Sequence, residues 1–366
     1  MDGVDAALVT IGRAQCKTEA ALTYPYPHSL RQRLLHAIEP DIRLSLHEMA
    51  TLNIEVGEVF AEAAIAVLDG ANCAPEMLVA IGSHGQTLRH APRADQPYSL
   101  QIGSPAMIAA RTGVLTVADF RAMDIAYGGE GAPLVPVFHE WTMGNSNENR
   151  VVANIGGIAN LTFLPTTRDS ALVGYDTGPG NCLMDVWCAS QHGTAFDADG
   201  AWAASGTCCE ALLCALLEHP YFLVPPPKST GREVFNVAFL EKILARPEFS
   251  ILNAADVQAT LATLTVETLA REIEGRVGTG AARVLVCGGG ARNRHLMTRL
   301  AARLTPLPVA STSVLGIDPD MVEACAFAWL AYMRIGARAV RLTTGAQARS
   351  VILGAIYAPT PSSSKT

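Results

Sequence analysis

The sequence predicts an α/β protein of two domains with mainly parallel sheets. Short apolar runs that end in glycine-bearing turns alternate with stretches of helical spacing, and they do so in both halves of the chain. The 366 residues are 49% hydrophobic, enough to bury two cores. A Gly/Pro-rich stretch at 128–136 divides them. The expected domains are 1–132 and 133–366, with a last helix that can pack back on the first domain.

In the first half, Asp2-Gly3 reads as a turn and 4–9 as a strand. Residues 29–70 carry helical spacing, first through Leu34, Leu35 and Ile38, then through Met49, Leu52, Val56, Val59 and Ala63. A buried strand is expected over 77–81, ending in the polar loop Gly82-Ser83-His84-Gly85-Gln86-Thr87. Residues 99–102 form another strand, and Ser104-Pro105 starts a helix with Ser as N-cap and Pro at the first position. A strand at 114–117 precedes Asp119, Arg121 and Asp124.

The second half opens with strand, glycine turn and strand over 150–164. A strand at 172–175 runs into Asp176-Thr-Gly-Pro-Gly-Asn181 and then a helix. Helices are expected through 200–218 and 233–280, with a strand at 282–287 that breaks at Gly288-Gly289-Gly290. Helices over 294–304 and 319–334 follow, the second opened by Asp318-Pro319. The halves echo each other: the second has a complete hairpin unit over 151–164, the first only a turn and second strand at 2–9.

Net charge is −7 and there is no long basic run, which argues against nucleic-acid binding. No apolar run approaches the roughly 20 residues that span a bilayer, so no membrane partner is expected. Nine cysteines without a Cys-x-x-Cys pair signal neither a zinc knuckle nor a disulfide framework and fit a reducing cytoplasm. Cys208 and Cys209 are expected on a helix, one of them buried. Nine histidines make no ligand-spaced pattern, so no protein-held metal is predicted.

Several stretches could carry chemistry. Asp176 leaves a buried strand beside Gly178 and Gly180, where backbone N–H groups and a helix N-terminus could meet an anion and the carboxylate could act as a base. A turn Asp bonding its own backbone reads equally well. Asn154-Ile-Gly156-Gly157-Ile-Ala-Asn160 could cradle phosphate, although a tight hairpin is the commoner cause. Gly288, Gly289 and Asn293 lie between a strand and a helix, where nucleotides often sit, or form a plain turn. Pro227-Lys-Ser-Thr-Gly-Arg-Glu233 lacks the upstream glycine of a Walker A loop and reads as a polar loop. His84 and Gln86 could bind a sugar. Arg121 and Asp124 could do the same or form a surface pair. Glu323 lies in an apolar helix, facing either a cleft or solvent.

Together these stretches resemble the anhydro-N-acetylmuramic acid kinase family of the actin/hexokinase-like ATPase superfamily. The resemblance rests on IGSHGQTLRH (81–90), QIGSPAMIA (101–109), VADFRAMDIAYGGEGAPLVPVFH (117–139), NIGGIANLT (154–162), GYDTGPGNCLMD (174–185), DGAWAASG (199–206), PKSTGREVFN (227–236), VCGGGARNRHLM (286–297) and VEACAFAWLA (322–331). It implies a two-domain actin/hexokinase-like (ribonuclease H-like) fold with a cleft between the domains. It also implies ATP- and Mg2+-dependent cleavage of a 1,6-anhydro sugar by water, with phosphorylation of the released oxygen, in peptidoglycan recycling. By resemblance Asp176 is the base and Glu323 a helix carboxylate near the sugar and water. By the same resemblance Asp2, Gly3, Asp5, Asn154, Gly156, Gly157, Gly178, Gly180, Gly288, Gly289 and Asn293 bind the nucleotide. His84, Gln86, Arg121 and Asp124 line the sugar side, where a lactyl carboxylate suits Arg121. The resemblance allows a homodimer.

One departure stands out. The family opens with a hairpin that reads roughly Gly-x-Met-Ser-Gly-Thr-Ser-x-Asp-Gly-x-Asp, and here only Asp2, Gly3 and Asp5 of it remain. The first strand and phosphate loop of domain one are therefore expected to be missing, with a true start about ten residues before Met1. An active sugar kinase and a non-catalytic sugar- or nucleotide-binding relative both fit such a chain. A kinase for another acceptor, or a carbamoyl-transfer enzyme, fits the same fold.

Overall fold

The computed structural model describes residues 3–39, 42–167, 172–277, 282–342 and 349–360. The first unit opens with an antiparallel hairpin of β1 (Gly3–Ile11) and β2 (Cys16–Pro25). Helices α1 (His28–Ala37) and α2 (Leu46–Gly70) follow. Then come β3 (Ile81–Gly82), β4 (Gln86–Ala91), β5 (Tyr98–Ile102), α3 (Pro105–Thr112), β6 (Thr116–Ala118), α4 (Ala122–Ala126) and α5 (Val135–Met143). The second unit holds β7 (Asn149–Ile155), β8 (Ile158–Leu164), β9 (Val173–Pro179), α6 (Cys182–His192), α7 (Ala201–Ser205) and α8 (Glu210–Leu217). It continues with α9 (Val237–Leu244), α10 (Ala254–Val277), β10 (Ala282–Cys287), α11 (Arg294–Arg303) and β11 (Val309–Ser311). The chain then adds α12 (Val322–Ile335), β12 (Val340–Leu342), β13 (Arg349–Val351) and β14 (Ala355–Tyr357) to the first unit.

The compact units are Met1–Thr142 with Met321–Thr366, and Met143–Asp320. The division thus falls after Thr142, beyond the Gly/Pro stretch at 128–136, and α12 belongs to the first unit. The second unit is built on one five-stranded sheet in the order β11-β10-β7-β8-β9. β11, β10 and β7 run parallel, while β8 is antiparallel to both β7 and β9. In the first unit β6 joins β3 in parallel and β14 in antiparallel, and the β1-β2 and β4-β5 hairpins stand as separate ladders.

Helix α10 is the spine of the second unit. It is buried on almost every side, as a helix surrounded by other elements must be. Leu261, Leu264, Leu269 and Ile273 fill the core, while its buried threonines satisfy their hydroxyls locally. Thr260 Oγ1 donates to the Asp256 carbonyl at 2.7 Å and Thr263 Oγ1 to that of Ala259 at 2.8 Å. Thr265 Oγ1 reaches across to the Gly180 carbonyl at 2.7 Å, tying the helix to the end of β9.

Some expectations are corrected. The helical stretch at 29–70 is two helices, because Ser45 and Glu48 form a reciprocal capping box that starts α2 afresh. The strand expected at 77–81 is only Ile81–Gly82. Pro75 opens a short 3-10 turn there, and Met77 and Val79 are 76% and 70% exposed. Cys208 and Cys209 are both half-buried and precede α8. Ser104 caps α3 as predicted, accepting from the Met107 N–H at 3.3 Å. Among the described residues no single helix is long and apolar enough to cross a membrane.

The spine yields a prediction. Leu264→Ala in α10 should lower unfolding free energy by about 2–5 kcal/mol in urea titration, through lost burial plus a cavity.

Candidate active site

In the second unit the strand register assembles a polar row. Asn154 on β7 stands opposite Asn160 on β8, and Asn160 stands opposite Asp176 on β9. Directly opposed residues share a sheet face. The β8-β9 ladder shifts register at Ala159/Asn160, a bulge beside Asp176 of the kind that re-aims side chains. On the other side of β7, Asn154 pairs with Cys287, where β10 breaks into the glycine run. Gly288 has φ +77, and a Cβ there would strike Asn154 Oδ1 and the Ile155 carbonyl, so only glycine lets the turn pass.

The loop over 228–233 closes on Asp176. Its Oδ2 accepts from Ser229 Oγ and from the Thr230 N–H, each at 3.0 Å. The Asp176 N–H donates to the Lys228 carbonyl at 3.1 Å, and Tyr221 Oη donates to the Asp176 carbonyl at 2.6 Å. Lys228 anchors the loop: its buried Nζ lies 2.8 Å from Glu272 Oε1 on α10, and Tyr175 Oη donates to Glu272 Oε2 at 2.9 Å. Burial raises the Asp176 pKa; the Thr230 and Ser229 donors pull it down, and the Glu233 charge pushes it up again. The result is a half-buried carboxylate more basic than usual, with one oxygen bonded.

The β7-β8 turn places Gly156 and Gly157 beside this row. A Cβ on Gly156 would meet only the Ile158 carbonyl at 3.6 Å, and one on Gly289 only Asn181 Nδ2 at 3.8 Å, so both backbones face open space. The exposed Arg232 guanidinium lies over Gly157. The N–H groups of Gly180, Asn181 and Cys182 donate to the Gly157, Gly156 and Gly157 carbonyls at 2.9, 2.8 and 3.1 Å. These amides at the start of α6 are thus spent inside the protein, while buried Gly178 and Gly180 let β9 pack closely. Asn293 caps α11 through its side chain, accepting from the Leu296 N–H at 3.0 Å.

The first unit gathers a second cluster. Arg121 Nε donates to His84 Nε2 at 2.9 Å, and Arg121 Nη1 to the Gly131 carbonyl at 2.6 Å. His84 is therefore neutral with its proton on Nδ1. Burial and the Arg121 charge drive its pKa down to about 3, against a small upward pull from the Gly85 backbone. Its ring lies 4.5 Å from that of Phe327 on α12. Asp124 is fully buried and accepts from the Gly131 N–H at 2.8 Å, which makes it a brace for the 128–131 turn. Glu323, near the start of α12, is exposed on the wall of a cavity that His84, Gln86 and Asp5 also line. Its surroundings raise its pKa, Arg121 lowers it, and the Asp5 charge raises it. Tyr26 Oη donates to Gln86 Oε1 at 3.4 Å, and Thr23 Oγ1 to Asp5 Oδ1 at 2.6 Å.

In the second unit a carboxylate of raised basicity thus lies beside glycine turns whose backbone is open. The anhydro-N-acetylmuramic acid kinase family model matches residues 1–359. The chain belongs to that family. Relatives named anhydro-N-acetylmuramic acid kinase include one from Xanthomonas campestris pv. campestris, 47% identical over 97% of this chain and 94% of its own length. Another, from Coxiella burnetii, is 45% identical over 98% of this chain and 94% of its own. Among solved structures, a ROK family glucokinase from Streptomyces griseus overlaps 89% of this chain and 99% of its own at 11% identity, with a TM-score of only 0.35.

The structure places Asn154, Gly156, Gly157, Asp176, Gly288 and Gly289 together in the second unit. His84, Gln86, Arg121, Asp124, Asp5 and Glu323 fall in the other, with Gly3 at the start of β1 and on the cavity wall. Asp2 lies outside the described residues. Lys228, Ser229, Thr230 and Arg232, a polar loop by sequence, join this group in the structure. Their signal was the hydroxyl and cation density of Lys-Ser-Thr-Gly-Arg; what hid it was a separation of about fifty residues from Asp176.

Two predictions follow from this geometry. Lys228→Met leaves Glu272 without its buried cation and should cost about 3 kcal/mol or more in urea titration. It should also free the Ser229–Thr230 contact to Asp176, seen as faster amide exchange at 228–230. His84, and His139 on α5, which burial likewise holds down to about 3, stay neutral in the fold while the unfolded chain protonates near 6.5. The unfolded state then binds more protons between those values, so these residues should make stability fall as pH drops from about 6.5 towards 3. NMR titration of the two imidazoles checks this; a normal His84 midpoint would refute it.

Proposed function

We propose that the protein is an ATP-dependent kinase that opens the 1,6-anhydro bond of anhydro-N-acetylmuramic acid and phosphorylates the released oxygen. The product is N-acetylmuramic acid 6-phosphate, in peptidoglycan recycling. Family membership over 1–359 supports the substrate and reaction. The observation that carries the mechanism is the Asp176 carboxylate, raised in basicity and oriented through one oxygen by Ser229 and Thr230.

In this reading Asp176 takes a proton from the water that attacks the anomeric carbon. The C–O bond of the anhydro bridge breaks, and the freed oxygen becomes the phosphoryl acceptor. Bound ATP with Mg2+ supplies the phosphoryl group, with the metal neutralising phosphate charge. The open backbones of Gly156 and Gly289, with Arg232 over Gly157, fit a polyphosphate. Arg121, with neutral His84 as its acceptor, pairs with the substrate carboxylate, and Glu323 and Gln86 bind hydroxyl or water groups. The fold in this reading is the two-domain actin/hexokinase-like one.

The test is magnesium-dependent ADP release on adding the anhydro sugar, followed with Asp176→Asn. The parent should turn over and the variant should lose about 10²–10⁴-fold in kcat with little change in KM for ATP. Sugar binding without ADP release from the parent would mean a non-catalytic relative. ADP release with an ordinary hexose alone would mean a different acceptor.

A further inference from the structure

One hydroxyl in the loop that closes on Asp176 has no partner. Thr230 Oγ1 is buried and bonds to no other group among the described residues. The backbone of the same residue is firmly placed: its N–H donates to Asp176 Oδ2 at 3.0 Å, the oxygen that Ser229 Oγ also reaches. An unbonded buried hydroxyl costs stability, and a valine of the same shape avoids that cost. A polar group kept in such a place points to an interaction made only in another state of the site.

The carboxylate defines that state. Both of its donors, Ser229 Oγ and the Thr230 N–H, fall on Oδ2, and Oδ1 has no donor among the described residues. A proton taken up by Asp176 therefore goes to Oδ1 and turns that oxygen from an acceptor into an O–H donor. A new donor in a half-buried site needs an acceptor. Ser229 Oγ is already engaged with Oδ2. Thr230 Oγ1 has its lone pairs free, and its own amide already holds the carboxylate.

The hydroxyl is within reach. In one threonine the amide nitrogen and Oγ1 lie about 3 Å apart when gauche, so a carboxylate held on one oxygen by the amide can meet the hydroxyl with the other. Thr230 as a whole is only half-buried although its Oγ1 is covered. A turn about χ1 exchanges Oγ1 with Cγ2 and needs no movement of the backbone, and threonine divides itself between such rotamers more readily than valine. Lys228, fixed on Glu272, holds the loop while the side chain turns.

We infer that Thr230 is a positioning residue for the base: its hydroxyl, unbonded while Asp176 is ionised, accepts the O–H of Asp176 Oδ1 once the carboxylate has taken a proton from the attacking water. This rests on the kinase reading. The water gives one hydrogen to Oδ1 and bonds to the anomeric carbon through its oxygen, and the C–O bond of the bridge breaks. The hydrogen on Oδ1 then points to Thr230 Oγ1, whose own hydrogen stays in place. Such a contact strengthens as the proton moves, the condition under which an interaction raises kcat rather than tightening substrate binding. The other groups around the carboxylate act differently. Ser229 and the Thr230 amide favour the ion, and Glu233 disfavours it. Tyr221 Oη is bound to the Asp176 carbonyl, and Glu272 is paired with Lys228 and Tyr175.

The test titrates the Asp176 carboxyl by carbon-13 NMR in the full chain, with Asp176→Asn to assign the signal. Thr230→Val removes the acceptor for the neutral acid, so the midpoint should fall, with an ionisation constant at least about threefold larger. Ser229→Ala removes a donor to the ion and should move the midpoint up. Thr230→Ser should restore the parent value. In ADP release with the anhydro sugar, Thr230→Val should lose about tenfold in kcat with KM for the sugar little changed, while its urea midpoint stays level or rises. An unchanged or raised titration midpoint in Thr230→Val would overturn the inference, and so would an undiminished kcat. The titration needs no substrate. A lowered midpoint without ADP release from the parent keeps the Thr230 contact and removes the kinase reading, whereas ADP release with an unmoved titration does the reverse.

Discussion

Holding a carboxylate half-buried at mid-strand is the constraint on which the second unit depends. Burying a charge costs several kcal/mol unless donors compensate. Asp176 receives them from Ser229 and Thr230, on a loop about fifty residues away in sequence. That loop is held in turn by Lys228 on Glu272, and Glu272 is held by Tyr175, the residue beside Asp176. The circuit closes on itself: strand β9 presents the carboxylate, helix α10 anchors the loop, and the loop satisfies the carboxylate. One oxygen is bonded and the basicity stays raised, a balance suited to a base that must be oriented without being neutralised.

The same economy appears at the glycine turns. The carbonyls of Gly156 and Gly157 accept the first amides of α6, which fixes the β7-β8 turn against the start of that helix. The helix N-terminus is then structural, and the open backbone belongs to Gly156 and Gly289. The Arg232 guanidinium lies over Gly157 beside them. In the first unit Arg121 plays the organising part, spanning His84 and the Gly131 carbonyl, while Asp124 holds the turn that carries Gly131. A neutral imidazole there is a consequence of burial beside a guanidinium, and it leaves Arg121 charged toward whatever anion approaches.

Much of this was legible in the residues. Periodicity placed α3, β6, β7, β8, β10 and α11 close to their observed bounds, since each combines a clear period with a cap or glycine stop. It failed at 77–81, where an apolar run lies in an exposed turn opened by Pro75, and at Ser45, where a capping box with Glu48 starts a separate helix. Apolar content alone cannot distinguish a buried strand from a loop whose burial is decided elsewhere.

The sequence by itself determined the family, the α/β alternation and the identity of the acidic and glycine-rich positions, because these rest on local pattern and on ordered motifs. Only the tertiary structure decided which groups meet. Cross-strand register aligned Asn154, Asn160 and Asp176; long-range closure brought Lys228, Ser229 and Thr230 to the carboxylate; packing of α12 into the first unit gave Glu323 its neighbours. Each is a contact between residues far apart in the chain, formed when burial of the apolar faces repays the entropy of closing the intervening loops, and nothing local in the sequence encodes that pairing.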